Sequence, residues 1–551
     1  MIKTSITNFI IFFTLLSFIN FNPIKDDKYE IPNNSEDISY IYKIKENRNY
    51  NEEIIDIKTC DSIKDIDYKF FTANNKVDID RIKKISFQEN YSDVEGIITF
   101  RGNNLRSLSS YGISKIENNK LNKVWEFETT WGTPNPNPSF GPWGGGAGWT
   151  GQPSVIKWNE DVKKIMNIKE KFKNKEDFIE VVYASLDGNI YFLDLETGQK
   201  TREPINIQNP IKGSVALDPR GYPLLYVGQG VCENGEFGYR IYNLINGELL
   251  YFINGIDSIA YRKWGAFDGS PLIDKETDTL VLGGENGLLY FIELNTEFDL
   301  KKEDIKIEPN ITKFRYKVNG SYHQGIENSV SSYKNLIYWA DNSGNIICID
   351  IHTLEPKWVW SDYTKDDTNA TITIDIENGT PYLYVGTEYD KQQNKTKKVY
   401  FRKLNGLTGR IIWENEYESF PGIGYSNGGI YSTNVIGKNN LENLIIFNIA
   451  RVNKINEGLM IAINKKTGEK IWSWNLSNYT WSSPVDFYDE KGKGYLIQCD
   501  SKGNVWLLDG LTGKILNNIN LGRNIEASPI IYKDMIIISE RGNKIYGIKI
   551  N

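Results

Sequence analysis

Cysteine and histidine are nearly missing from this chain: 551 residues hold 4 Cys, 2 His and 4 Met. The cysteines, Cys60, Cys232, Cys348 and Cys499, stand far apart and form no Cys-x-x-Cys-His haem attachment. Cys348 and Cys499 lie within apolar strand patterns, which reads as small buried hydrophobes rather than a disulfide. Two widely separated histidines, His323 and His352, leave a zinc site short of ligands and a Ser-His-Asp hydrolase without a visible base. Positive charge is lacking too, since the formal net charge of -7 disfavours a phosphate backbone and removes nucleic acid as an expected partner. The Gly-rich stretch 140–151 lacks the Gly-Lys-Ser/Thr ending of a phosphate loop. Acidic turns at 486–492 and 362–367 do not follow the EF-hand pattern and read as solvated turns between strands.

The start of the chain reads as a targeting segment over residues 1–24. Lys3 precedes an apolar run over 9–21 that stops at Lys25-Asp26-Asp27-Lys28. The run is short for a membrane span and has no small-x-small cleavage site, so a cleaved signal peptide and an N-terminal membrane anchor both remain open. Either way the expected location is extracytoplasmic, secreted or held by the N-terminus. Residues 25–98 are charged and Asn-rich without a clear period, which predicts a partly disordered spacer with weak helical character near Asp78 to Ile85.

What the chain does have is aromatic residues, 14 Trp and 33 Tyr, in a repeating unit that runs from about residue 151 to the end. Each unit starts near Ser-Pro, crosses a Gly turn into an apolar strand ending in Asp or Asn, and finishes with Thr-Gly and a Trp-bearing strand. The copy from Trp481-Ser482-Ser483-Pro484-Val485 to Thr512-Gly513 is the clearest. Units of this length and content match the four-stranded blades of a β-propeller. Strand starts at Val155, Val215, Leu272, Val330, Ile372, Ile430, Val485 and Ile530 predict eight blades over residues 99–551. The last unit lacks its Trp strand, while an orphan one, Lys123-Val124-Trp125-Glu126-Phe127, lies upstream; the two ends should close in one blade.

The Asp/Asn…Thr-Gly…Trp unit, as in Asn405 with Thr408-Gly409 and Trp413 or Asn464 with Thr467-Gly468 and Trp472, resembles the repeat of the pyrroloquinoline quinone (PQQ) propeller family. That family includes quinone-dependent dehydrogenases and cofactor-free envelope scaffolds, so the resemblance implies a fold before it implies an activity. A dehydrogenase of the family would be expected to carry two adjacent cysteines facing the quinone, a Ca²⁺ shell of Glu, Asn and Asp, and an aspartate base. The adjacent cysteines are missing here. Ile97-Ile98-Thr99-Phe100-Arg101-Gly102-Asn103-Asn104-Leu105-Arg106 is similar to a segment that opens an exported, uncharacterised subgroup of the family, which implies that Arg101 and Arg106 contact the propeller, through a carboxylate.

In a propeller the first strand of every blade lines the central channel, so residues just ahead of each strand start gather at one mouth. Here they are Trp149, Lys212, Asp268, Glu327 with Asn328, Asn369, Asn427, Trp481 and Glu526. A ring of indoles, carboxylates, amides and one Lys suits a sugar, a peptide segment or a cation. Trp131 and Trp143 in the Gly- and Pro-rich loop ahead of the first blade are expected to add flat faces above the channel. The expectation is therefore an exported, non-enzymatic binding or scaffold propeller with an envelope protein or glycan as partner and no cofactor. The alternatives are a PQQ/Ca²⁺-dependent dehydrogenase using Glu327, Asn328 and Asp268, or a carbohydrate binder using the Trp-lined funnel.

Overall fold

The computed structural model describes residues 53–54, 65–72, 78–130, 146–389, 397–420 and 427–551. The described chain is almost wholly β, and eight antiparallel sheets follow one another around a central channel. Their innermost strands are Ser154–Ile156, Ala216–Leu217, Leu272–Asp274, Ser331–Tyr333, Thr373–Glu377, Val435–Ile436, Val485–Tyr488 and Ile530–Tyr532, which open blades 1 to 8. Blade 7 shows the plan: Val485–Tyr488 is followed by Gly494–Cys499, Asn504–Asp509 and Ile515–Asn520, each paired with the one before. Third strands such as Leu288–Glu293 in blade 3 are buried along their whole length, because each face packs on a neighbouring blade. Outer strands such as Ile411–Glu418 in blade 5 are half exposed and carry the charges. Cys348, in the third strand of blade 4, and Cys499, in the second strand of blade 7, are fully buried, as their apolar surroundings implied.

Closure falls where the orphan strand predicted. Leu121–Glu128 pairs with Lys544–Ile550 and becomes the outer strand of blade 8, with Glu128 opposite Lys544 and Leu121 opposite Ile550. The two ends of the propeller are thus joined by a full strand ladder within one blade.

The repeat unit has a packing reason. Asp194 Oδ2 accepts hydrogen bonds from the Thr197 N–H (3.0 Å) and hydroxyl (2.7 Å), and Asn405 Oδ1 accepts from the Thr408 N–H at 3.1 Å, so each acidic or amide residue closes its own turn. The turn then receives the Trp of the preceding blade. Trp358 donates its indole N–H to the Gly406 carbonyl at 2.8 Å, and Trp125 donates to Leu195 at 2.9 Å. Gly409 and Gly198 lie flat under these rings at positive φ, where a Cβ would sit 2.7 and 2.5 Å from Trp358 and Trp125 respectively. Thr-Gly and Trp are therefore two halves of one joint between successive blades.

Residues 96–111 seal one end of the channel. Gly96–Ile97 pairs with the inner strand of blade 1, and Ser110–Tyr111 lies parallel to that of blade 8. In between, the segment visits the other six. The Ile98 carbonyl accepts from Leu217, the Thr99 hydroxyl reaches Ser270, Asn104 exchanges hydrogen bonds with Ser332, and the Leu105 carbonyl accepts from Ile374. Lys438 donates to the Ser107 carbonyl, and Ser109 bonds Asp486. Arg101 and Arg106 turn the chain at φ 55° and 56° and are both buried. The sequence expectation that they contact the propeller holds, but their partners are not carboxylates. Arg101 donates to the carbonyls of Thr433 and Pro484, and Arg106 to those of Val330, Phe100, Ser270 and Pro271 and to the Thr99 hydroxyl. Inner strands of a propeller end in unpaired carbonyls, and a guanidinium fork satisfies several at once. Burial without a carboxylate in contact pulls both guanidinium groups down to about 10.

The spacer expected over 25–98 is corrected for its described part. Ile66–Thr72 pairs along Asn310–Val318 and adds a fifth strand to blade 3, with Glu53–Ile54 beyond it. Phe70 stacks among Phe291 and Phe314, and after the short helix Ile79–Ile82 the side chains of Ile82, Ile85, Phe87 and Tyr91 enter the same core. Enough apolar surface is buried to hold this stretch on the propeller. Residues 1–52 lie outside the described part, and among the described residues no helix is long and apolar enough to cross a membrane.

Candidate functional site

At the end opposite the plug, the channel opens into a cavity of about 80 Å³ floored by Phe100 of the plug segment. A belt of hydroxyls surrounds the floor. Gln152 donates its N–H to Ser214 (2.8 Å), Ser270 to Ser329 (2.8 Å), Ser329 to Thr371 (3.2 Å), Thr371 to Thr433 (3.2 Å), Thr433 to Ser483 (3.0 Å) and Ser483 to Ser528 (3.3 Å). Ser528 joins blade 1 through the carbonyls of Gly151 and Thr150. Six of the eight inner strands thereby give an N–H to a hydroxyl of the next blade, which explains the Ser or Thr at seven of the eight strand starts.

Above the belt stand the residues singled out from the sequence. Trp149, Lys212, Asp268, Glu327, Asn328, Asn369, Asn427 and Trp481 all line the cavity, although they come from seven different blade entries. Glu526 does not. It accepts from Asn524 at 2.8 Å and pairs with Arg541 at 3.5 Å, behind the wall, because Arg541 stacks over the Trp149 ring at 4.6 Å and draws the carboxylate with it. Asn328 is placed at the cavity but its side chain is spent on the fold: its amide donates to the carbonyls of Ala340 and Thr368 at 2.8 and 2.9 Å. The indoles are not free flat faces either. Trp149 meets Trp481 edge to face at 5.8 Å, and Trp481 stacks on Tyr431 at 5.1 Å, so the aromatic wall is self-packed and presents edges and the Tyr431 ring. Trp131 and Trp143 lie outside the described residues.

The opposite wall is acidic. Lys212 Nζ lies 3.7 Å from Asp268 Oδ2, and Glu327 Oε1 accepts from Asn342 at 2.7 Å. Behind them Glu285, nearly fully buried, faces Arg262 at 3.7 Å, and Arg262 donates to Asn342 at 2.9 Å. Burial pushes the Asp268 carboxyl up to about 6 despite Lys212, with the Glu327 charge adding to the rise. Glu285 is pushed well above the usual carboxylate range, first by burial and then by the Glu327 and Asp268 charges. Further round, the Asn427 side-chain amide donates to Glu388 at 3.1 Å, and its main-chain carbonyl receives the Trp481 indole N–H at 3.3 Å. Side-chain atoms Asp268 Oδ1 and Asn427 Oδ1 are enclosed and receive no donor from the described residues.

Sequence reasoning missed the second row, Glu285, Arg262, Asn342 and Glu388, because these sit in turns and strand ends whose facing depends on blade tilt. The hydroxyl belt was visible as Ser or Thr at seven of the eight strand starts, Gln152 standing at the first, but reads as turn chemistry without the ring. His323 and His352 are exposed and do not line the cavity. The acidic turns have structural partners: Asp362 bonds Thr364 and pairs with Arg402, and Asp489 accepts from the Lys491 and Lys493 amides. Among the described residues no three or more His, Cys, Asp or Glu side chains converge as a metal shell.

The residues present do not fit a quinone held through calcium. The Asn328 amide faces its own blade, three carboxylates crowd one wall where a polycarboxylate cofactor would add more negative charge, and the free cysteines Cys232, Cys348 and Cys499 stand apart in sequence.

No protein-family model and no curated protein sequence matches the chain. The solved structures it is similar to include the quinohemoprotein alcohol dehydrogenases of Comamonas testosteroni (12% identity, TM-score 0.54) and Pseudomonas putida HK5 (11%, TM-score 0.55), each match covering 86% of this chain and 82% of the other. BamB from Moraxella catarrhalis matches at 14% identity and a TM-score of 0.46 over 78% of this chain and 98% of that one. At such identities the first two establish the shared eight-bladed fold and nothing about chemistry.

Proposed function

We propose that the protein is an exported, non-enzymatic binding propeller of the cell envelope whose channel mouth holds a small polar ligand or the tip of a glycan or protein partner. One observation carries this reading: a cavity closed below by the plug, floored by hydroxyls and walled by aromatic edges on one side and carboxylates and amides on the other. Such convergence of polar groups in a concave, partly apolar site is what small-ligand recognition requires. Export is supported by the apolar run over residues 9–21. The dehydrogenase alternative has the fold in its favour and the side chains against it.

The test is a thermal-shift titration of the full chain against mono- and disaccharides, amines, and PQQ with Ca²⁺. Saturable stabilisation by a saccharide or amine, lost in Glu327→Gln, supports the reading. Stabilisation by PQQ with Ca²⁺, followed by dye reduction in the presence of an alcohol, overturns it.

A further inference from the structure

Among the described lining residues of the mouth acceptors outnumber donors, and Lys212 is the one cation. Asp268 and Glu327, from adjacent blade entries, face the cavity, and Glu285 lies behind. Against these stand Lys212 on the lining and Arg262 in the second row. The Lys212 ammonium is 3.7 Å from Asp268, beyond hydrogen-bond length, and also lies 5.9 Å from the centre of the Trp149 ring. Glu327 uses Oε1 for Asn342. An independent observation comes from the far wall, where Asn427, only 2% exposed, lines the cavity with a side-chain oxygen that no described residue satisfies. A buried acceptor of this kind calls for a donor. The stacked Tyr431 and Trp481 rings border the same space and suit a cation passing over them.

We propose that the ligand of the channel mouth carries a primary ammonium group, held between Asp268 and Glu327, with Asn427 on the far wall accepting from a second donor of the same ligand, as in an amino sugar or a peptide amino terminus. This rests on the reading of the mouth as a ligand site. An ammonium fits better than a metal ion, because no three carboxylates converge as a shell among the described residues. An ammonium is satisfied by two or three acceptors about 2.8–3.0 Å from its nitrogen, which two carboxylates can supply, whereas a calcium ion needs about six or more oxygens at shorter range. The raised Asp268 carboxyl agrees with a site that lacks its cation: burial dominates, Lys212 opposes it, and Glu327, together with Glu285 paired to Arg262, surrounds it.

The experiment is calorimetric titration of the full chain at pH 7.5 and pH 5.0 with glucosamine, glycylglycinamide, glucose and CaCl₂. Expected are binding of glucosamine or glycylglycinamide, weakening of about tenfold or more in Asp268→Asn and in Glu327→Gln, as loss of one charge-assisted hydrogen bond implies, and weaker binding at pH 5.0 as Asp268 takes up its proton. The stronger of the two amines identifies the source, sugar or peptide. Glucose binding as tightly as glucosamine overturns the ammonium while leaving the mouth as a ligand site. Binding of Ca²⁺ that excludes the amines also overturns it. If no probe binds the parent chain, and an experimental structure shows the cavity filled by the chain itself, both this inference and the underlying reading fail. Both variants keep side-chain shape, and unchanged circular dichroism separates lost binding from lost folding.

Discussion

Changing Arg106 to Met removes the most heavily bonded cation of the plug. Its guanidinium is fully buried and donates to five oxygens on the plug itself and on blades 3 and 4, with none of them a carboxylate. Five charge-assisted bonds at about 1.5 kcal/mol each amount to about 7.5 kcal/mol. Against this, the guanidinium is held at about 10 rather than 12.5, and at about 1.36 kcal/mol per pH unit its removal relieves about 3 kcal/mol of burial cost. The net loss is about 4 kcal/mol. With an unfolding entropy of about 2.1 cal/mol/K per residue over roughly 450 ordered residues, each kcal/mol moves Tm by about 1 °C, so Arg106→Met should melt about 4 °C below the parent. Arg106→Lys should recover less than half of that, since one ammonium with three donors cannot span the same oxygens. Equilibrium unfolding in guanidinium with scanning calorimetry reads both. A Met variant within about 1 kcal/mol of the parent would refute the idea that the plug is pinned to the blades through Arg106.

Phe70→Ala, which opens a cavity between the added strand and Phe291 and Phe314, should cost about 3–5 kcal/mol; no effect would return residues 66–72 to the status of a spacer. Thr433→Val keeps shape but leaves the Thr371 N–H without its acceptor, and denaturant unfolding should show a loss of about 1–3 kcal/mol. Asp268→Asn should stabilise the unliganded protein. The folded Asp268 carboxyl, at about 6, holds its proton longer than the unfolded one at 3.8, so the parent loses stability as pH rises from about 4 through 6; the variant does not, gaining at most about 3 kcal/mol at pH 7.5 and almost nothing at pH 4. Melting curves across that range check the sign. Burial pushes the Cys232 thiol up to about 11, so it should react with a disulfide reagent in the native protein far more slowly than in the unfolded one.

Much of this was legible in the sequence because propeller repeats write their packing into fixed positions. Asp194 with Thr197-Gly198, or Asn405 with Thr408-Gly409, announces both a turn and the seat of the neighbouring Trp, and Trp125 without a unit of its own announces the closure. Mouth residues were found for the same reason, since a place just ahead of each inner strand translates directly into a place on the ring. Glu526 failed that rule because a cation on Trp149 captured it, and Asn328 because its amide was needed by its own blade. Neither competition leaves a mark in local sequence. The N-terminal strand was the larger omission. Ile66-Asp67-Tyr68-Lys69-Phe70 does alternate apolar and polar residues, but its charged surroundings hid it, and its partner strand lies about 240 positions away. Arg101 and Arg106 were read as carboxylate partners, whereas the shortage they answer is one of donors for carbonyls at the strand ends.

The most direct test of the central claim is an experimental structure of the full chain grown with glucosamine. The account predicts density for the sugar above the hydroxyl belt, with its nitrogen between Asp268 and Glu327 and the plug unchanged below. Sugar density elsewhere on the propeller, with only water among Asp268, Glu327 and Asn427, would contradict it.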